Sequence, residues 1–408
     1  MNNRWYALTV IFFGFVEFTL NWFIIVPGFG PIARELHITF PQVALLLALF
    51  LLGYGIFHLP TGALSARFGA LRIAWLGVAV ESLAGLAAAF SPDYPVLAAS
   101  RFVSGIGAAL FVGASIGIVT AWFKDKELSV ATGISTGVGF EVGSALGIFL
   151  GTPIVAALGW RNTLVIGAAY GLAIAAIMVT TLRAPADAEA ELGAHAVTGG
   201  SIARVLRSRT LWIYGIAILG AYGAFFTMAQ FLPQYVERNL GFTPGMAAAI
   251  AGGGTLFGIP GAVLGGWVTD KTGLFKTVFI GAFALGACGY VGIALATPAT
   301  IAYVAIFVHF VSAFGLTPWF SVPGRYASEI RLEDVPTAAG LLLTMAAIGG
   351  FAVPALFGKI VAAAGFGAGW YFLTAVSLAF LLVGFLAKRP DPLRAADVLV
   401  PAHGAVPS

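Results

Sequence analysis

The chain has 408 residues, of which 60% are apolar and only 9% charged, with a mean hydropathy of +0.97. A soluble domain carries about 25% charged residues, so this is a polytopic membrane protein. The net charge of +4 does not imply a nucleic-acid partner, because the basic residues fall in short loops between apolar stretches, where they report orientation. The single cysteine, Cys288, excludes an intramolecular disulfide framework and a cysteine metal cluster, and reads as a small core residue.

Apolar stretches of about 20 residues, broken at charges and at Pro/Gly turns, give twelve spans: 5–27, 42–64, 73–91, 96–122, 129–150, 161–182, 211–235, 245–268, 277–296, 300–322, 336–358 and 368–387. The first has no small-residue cleavage site and reads as a retained span. Six spans precede and six follow a polar segment. The expected organisation is an N-terminal six-helix bundle at 1–182, a cytoplasmic linker at 183–210, a C-terminal six-helix bundle at 211–390 and a disordered cytoplasmic tail at 391–408. With both termini inside, sixteen Lys and Arg fall on the cytoplasmic side and only Arg34, Arg161, Arg238 and Lys359 outside. That bias orients the chain as a multi-pass protein of the cytoplasmic (inner) membrane.

The halves repeat. Gly62 to Gly69 closes the second span and aligns with Gly266 to Gly273, which closes the eighth, at an offset of 204 residues. Both lie in a short cytoplasmic loop between the second and third helices of a half. The glycines permit a tight turn there. Parallel six-helix repeats are a transporter architecture, with the solute site near the midplane between them.

Arg101 opens an otherwise uncharged stretch to Trp122, so it is a permanent cation inside a span, at a cost of at least roughly 2.5–3.5 kcal/mol on insertion scales. It enters from the outer side about 8 Å down. Only Glu17, Glu81 and Glu141 lie well within spans, each about 14–18 Å from the cytoplasmic end at 1.5 Å per residue. All four groups belong to the N-terminal half. Their repeat counterparts are Ala221, Leu285, Met345 and Ala305.

Together these features resemble the major facilitator superfamily. Its loop signature, Gly-x-Leu-Ala-Asp-Arg-x-Gly-Arg-Lys, is matched by Gly62, Leu64, Arg67 and Gly69, with Ala66 in place of the Asp. The weaker second copy keeps Gly266, Asp270, Lys271 and Gly273. Arg101, Gly105, Gly107, Ala108 and Ala109 match the family's fourth-helix motif. The resemblance implies an all-α integral membrane fold of twelve transmembrane helices, arranged as two six-helix bundles related by an internal repeat. It implies a conformational latch at Gly62, Gly69, Gly266, Asp270 and Gly273, with Asp270 facing the start of the fifth helix near Glu127–Val130, where the helix dipole favours an anion. The absence of Asp at position 66 removes the equivalent latch between the second and eleventh helices. It also makes Glu17 the expected partner of Arg101 in proton coupling, since the first and fourth helices of that fold both line the cavity. Burial favours the neutral acid and a nearby guanidinium favours the carboxylate, so alternating access can load and release a proton. A fixed ion pair holding the bundle together is the alternative.

Gly139, Gly143, Gly147 and Gly151 form a small-residue stripe suited to close packing. Glu141 points away from it, toward either the cavity or the bundle interior. Glu81 reads as a buried, hydrogen-bonded carboxyl. Glu17 and Asn21 are spaced i,i+4, as are Tyr54 and His58, and Tyr222, Phe226 and Gln230 form a third series. Asn21, Trp22, Tyr54, His58, Glu141, Tyr222, Phe226, Gln230, His309 and Trp319 make up the expected substrate cavity, His309, Ser312 and Trp319 sharing a face of the tenth span.

The function expected is proton-coupled secondary active transport of a small organic solute by alternating access. The alternatives are a drug or lipophilic-cation efflux antiporter, a monocarboxylate-type anion carrier, or a passive facilitator. The chain carries no His-Glu-x-x-His, Gly-x-Ser-x-Gly or phosphate-loop motif, so neither an enzyme nor an ATP-driven pump is expected. No cofactor or metal is implied. The partners expected are the solute, protons and the lipid bilayer, and a monomer is the expected form.

Overall fold

The structure, a computed structural model, describes residues 4–123, 131, 133–183, 199–326, 328–331 and 334–388. The Glu127–Val130 segment, most of the linker and the 391–408 tail lie outside them, as does the side chain of Asp270. The described chain is helical, with ten continuous segments long and apolar enough to cross a bilayer. The first span is Arg4–Phe23, the second Phe40–Phe68, the third Ala70–Ala89, the fourth Tyr94–Phe123, the seventh Arg209–Leu240, the ninth Phe275–Leu295 and the tenth Ile301–Phe320. The eighth is made of Pro244–Leu256 and Gly258–Thr272. Two of the ten segments fold back on themselves. Gly139–Thr181 reverses at Gly159 (φ 79°) and Val335–Leu381 at Gly365 (φ 81°). Each is therefore two spans joined by a one-residue turn that favours glycine. The fifth and sixth meet at Gly159 and the eleventh and twelfth at Gly365, which completes the expected twelve.

The internal repeat extends into the caps. Thr39 caps the second span, its N–H donating to Gln42 Oε1 at 2.8 Å. Thr243, 204 residues later, caps the eighth by accepting from the Met246 N–H at 3.3 Å. Gly69 and Gly273 close the same helices at positive φ, and each donates its N–H to the residue four back at 2.9 Å. Exposed Leu83, Val263, Leu295 and Tyr303 belong to the lipid-facing surface. Cys288 joins them: it is exposed and not the core residue expected.

Close packing explains the fourth-span motif. A Cβ on Gly105 would strike the Phe50 carbonyl of the second span, and one on Gly107 would strike the backbone of Gly77 and Glu81 in the third. Ala108 and Ala109 are fully buried. The motif thus clamps the fourth span between its neighbours and fixes the height of Arg101. The fifth-span stripe packs on the first span, Gly143 against Val16 and Thr19 and Gly147 against Leu20 and Phe23.

The halves meet along two seams. The second and eleventh spans touch along their length, Gly358 against Ala44, Gly350 against Leu51 and Gly340 against Leu59, and Thr344 Oγ1 donates to the Gly55 carbonyl at 3.0 Å. The fifth and eighth touch where Gly252 faces Ala145. On the face away from the linker, rings of Phe29, Phe40, Phe231, Phe357 and Phe366 close the junction at centroid separations of 5.1–6.2 Å.

On the linker face, a short helix at Gly199–Arg207 is tied to the loop before the eleventh span. Arg204 donates twice to Asp334, at 2.6 and 2.7 Å, and Ser201 donates to the same carboxylate at 2.6 Å. The Arg204 hydrogen bond, with help from Ser201, holds the Asp334 carboxyl below the usual range against the effect of burial.

Two outcomes follow. Gly105→Val should lower the melting temperature through a backbone clash costing about 1–3 kcal/mol or more, whereas Gly281→Ala, which meets nothing within 4 Å, should leave it unchanged. Because the Asp334 value is depressed, its contribution is complete above the unfolded value of about 4 and fades as pH falls through the folded one. Asp334→Ala at neutral pH, or acidification of the unmodified protein below about pH 4, should accelerate amide exchange across 199–207 while the span interiors stay protected.

Candidate functional site

The i,i+4 spacing of Phe18 with Trp22, and of Phe50 with Tyr54 and His58, aligns their rings on one face of the first and second spans. Tyr222 and Phe226 do the same on the seventh. These rings and Phe140 of the fifth span form a layer at the junction of the halves. Trp22 stacks on Phe50 at 4.9 Å and on Phe226 of the other half at 4.8 Å. Phe18 lies parallel to Tyr54 at 5.8 Å, Tyr54 abuts His58 at 4.3 Å, and Tyr222 abuts Phe226 at 4.7 Å.

Several polar atoms beside this layer are buried without a hydrogen-bond partner among the described residues. They are Trp22 Nε1, a ring nitrogen of His58 and Gln230 Oε1. Gln230 commits only its amide nitrogen, which donates to the Phe226 carbonyl at 2.9 Å. Each such orphan costs about 1–3 kcal/mol, and most buried polar groups are paired. Together they make a ring-lined junction able to hydrogen-bond a small polar molecule.

Arg101 is 3% exposed and makes no ion pair with Glu17. The first span stops at Phe23 because Pro27 lacks the N–H that would continue it, leaving the last carbonyls without helical partners. Arg101 Nη2 donates to one of these, the Trp22 carbonyl, at 3.2 Å, and the guanidinium lies 4.8 Å over the Phe50 ring. The cation therefore sits at the negative end of a helix dipole and on an aromatic face. Its Nε has no partner among the described residues.

Glu17 is fully buried on another side of the first span, against the third and sixth. Its Oε1 accepts from Asn21 Nδ2 at 2.6 Å and from Ser82 Oγ at 3.3 Å, while Oε2 has no partner among the described residues. Asn21 also donates to the Gly167 carbonyl at 3.2 Å, so it faces the sixth span and not the ring layer. Gly171 makes the room, since a Cβ there would collide with Glu17 and Ser82. Glu81 is 1% exposed, and neither of its carboxyl oxygens has a partner among the described residues. It is the electrostatic neighbour of both Arg101 and Glu17. The expected two-member set thus has a third buried ionisable group in its neighbourhood.

The Glu141 carboxyl lies on the fifth–eighth seam between the halves, against Gly258, where the eighth span restarts because Pro260 interrupts the hydrogen-bond ladder at Leu256. His309 bonds through Nδ1 to the Ala305 carbonyl at 2.9 Å, meets the Phe225 ring edge at 5.6 Å, and leaves Nε2 without a partner among the described residues. Trp319 is fully buried near the linker face, where its Nε1 donates to the Tyr214 carbonyl at 3.2 Å. It lies about 15 Å along the helix from His309.

Phe18, Phe50 and Ser82 were not singled out from the sequence. The i,i+4 series through Trp22 and Tyr54 would have found the two rings, whereas nothing in the sequence brings Ser82 to Glu17.

Two like sets of six spans, meeting at a midplane of rings and unpaired polar atoms, define a secondary-transport architecture. The chain belongs to the Major Facilitator Superfamily, whose family model matches residues 11–331. The Nitrite extrusion protein of Bacillus subtilis is 23% identical over 94% of both chains. The Hexuronate transporter of the same species is 24% identical over 87% of this chain and 85% of its own. The Probable L-galactonate transporter of Escherichia coli is 28% identical, but the match spans 59% of this chain and 55% of that one. Among solved structures, a bacterial homologue of the human lysosomal transporter Spinster, inward-facing and unoccupied, superposes with a TM-score of 0.74 at 16% identity over 94% of this chain and 95% of its own. The chain is therefore a multi-pass secondary transporter of a small solute.

Phe226→Ala should remove the ring that joins the halves at Trp22 and cost about 3–5 kcal/mol, read as a lower melting temperature. A cysteine replacing Tyr54 in a Cys288→Ser background should then label faster with a membrane-impermeant thiol reagent.

Proposed function

We propose that the chain is a proton-coupled carrier of a small organic acid in the cytoplasmic (inner) membrane. Units 1–182 and 211–390 would alternate access, with the linker and both termini in the cytoplasm. The observation that carries this reading is the unpaired state of the buried charges. Among the described residues, Glu17 has one free oxygen and no cation bound to it, and Arg101 has a free Nε and no carboxylate bound to it.

Burial favours the neutral acid, while water or a guanidinium favours the carboxylate. A change of access at Glu17 therefore moves a proton on or off, with Glu81 as the group that relays the effect to Arg101. Arg101, not neutralised by Glu17, is left to attract one carboxylate of a solute. Trp22, His58 and Gln230 supply hydrogen bonds and the rings supply an apolar wall. Relatives named for L-galactonate and hexuronate support an organic acid. The same free guanidinium disfavours a lipophilic cation as cargo.

Uptake into proteoliposomes, with and without an imposed pH gradient, tests this. The unmodified protein should accumulate an organic acid identified by thermal-shift screening only when the gradient is present. Glu17→Gln should abolish accumulation and keep solute exchange. Equilibration without accumulation by the unmodified protein would make it a facilitator, and gradient-driven accumulation by Glu17→Gln would remove Glu17 from coupling.

A further inference from the structure

On the linker face, the end of the short 199–207 helix, the start of the seventh span and the end of the twelfth frame a recess of about 190 Å³. Its charged lining is Arg207, Arg209, Lys388 and Glu329. The single acid is already engaged. Glu329 Oε1 accepts from Ser208 Oγ at 2.7 Å and from the Thr210 N–H at 3.2 Å, and Oε2 accepts from Thr210 Oγ1 at 2.6 Å. Partial burial works against its charge, but the Thr210 and Ser208 hydrogen bonds and nearby Lys388 hold the carboxyl below its usual range. The three cations are exposed, and none of them makes a side-chain ion pair among the described residues. The recess therefore carries two net positive charges.

Its position identifies the occupant. Arg209 begins the seventh span, and Leu386 ends the last helical turn of the twelfth, so the cations stand at the level where apolar helix gives way to water. Immediately beside them Leu206, Trp212, Leu382 and Phe385 are exposed. The Trp212 indole N–H is turned to the Leu206 carbonyl at 2.8 Å, with its ring left to the apolar side, as interfacial tryptophans are disposed. A cationic recess above an apolar wall at the membrane boundary matches the two parts of an anionic lipid, and basic pockets between spans on the cytoplasmic side bind such headgroups. We propose that this recess binds the phosphodiester headgroup of an anionic phospholipid, with the acyl chains lying along Trp212, Leu382 and Phe385. A bound lipid would steady the start of the seventh span, the same helix that carries Tyr222 and Phe226.

Native mass spectrometry of the delipidated full-length protein, titrated separately with phosphatidylglycerol and phosphatidylethanolamine, tests the proposal. The unmodified protein should retain phosphatidylglycerol in preference. The R207Q/R209Q/K388Q variant should lose that preference, by about fivefold per removed cation. E329Q, whose amide oxygen still accepts from Ser208 Oγ and the Thr210 N–H while its NH2 can donate to Thr210 Oγ1, should bind phosphatidylglycerol about fivefold tighter, a gain that a damaged fold does not produce. Equal retention of the two lipids by the unmodified protein, or an unchanged preference in the triple variant, overturns the proposal. Displacement of phosphatidylglycerol by millimolar inorganic phosphate would also overturn it, by making the site one for free phosphate.

Discussion

Arg101 on the end of the first span is the interaction from which the rest of the midplane follows. A cation inside a bilayer needs compensation. Here it comes from a helix terminus, a backbone carbonyl and the Phe50 ring, with no ion pair to an acid among the described residues. Trp22 is the joint: its carbonyl receives the guanidinium, while its indole stacks on Phe226 of the opposite half. The backbone that places the cation and the ring that joins the halves are thus one residue. Gly105 and Gly107 serve the same end from the fourth span, because only close approach to the second and third spans sets the guanidinium at the height of the first span's terminus.

The two halves share a scaffold and differ in chemistry. Their Thr caps, loop glycines and one-residue turns recur at nearly constant offset, and these are the parts that helix geometry demands. The buried charges have no counterpart in the second half, which brings the rings of Tyr222 and Phe226 and the Gln230 amide to the junction. The seam between the second and eleventh spans is made largely of glycine and small aliphatic side chains. Such a surface can slide without rebuilding a network of specific bonds.

The span count, the paired loops and the fourth-span motif were legible in the sequence because each is local: a run of apolar residues, a glycine, a cation with fixed neighbours. Periodicity likewise found Tyr54, His58, Tyr222 and Phe226. The pairing within the site was less legible. Glu17 and Arg101 lie on the expected helices, yet Asn21 and Ser82 hold the acid and the Trp22 carbonyl holds the cation. Which side of a helix faces its neighbour in a bundle is set by packing at Gly167, Gly171 and Gly105. In a span that is apolar all round, hydropathy does not reveal that orientation. Glu141 is the clearest case, since its surroundings arise from a break in the eighth span, more than a hundred residues away, that follows from Pro260.

The turn at Gly159 has a mechanical consequence. The fifth span runs along the seam with the eighth, while the sixth backs onto Glu17 and Asn21 through Gly171 and Gly167. One residue separates them, so the two arms meet at a shared apex with no intervening loop, and the covalent chain joins the fifth–eighth seam directly to the wall behind the Glu17 carboxyl.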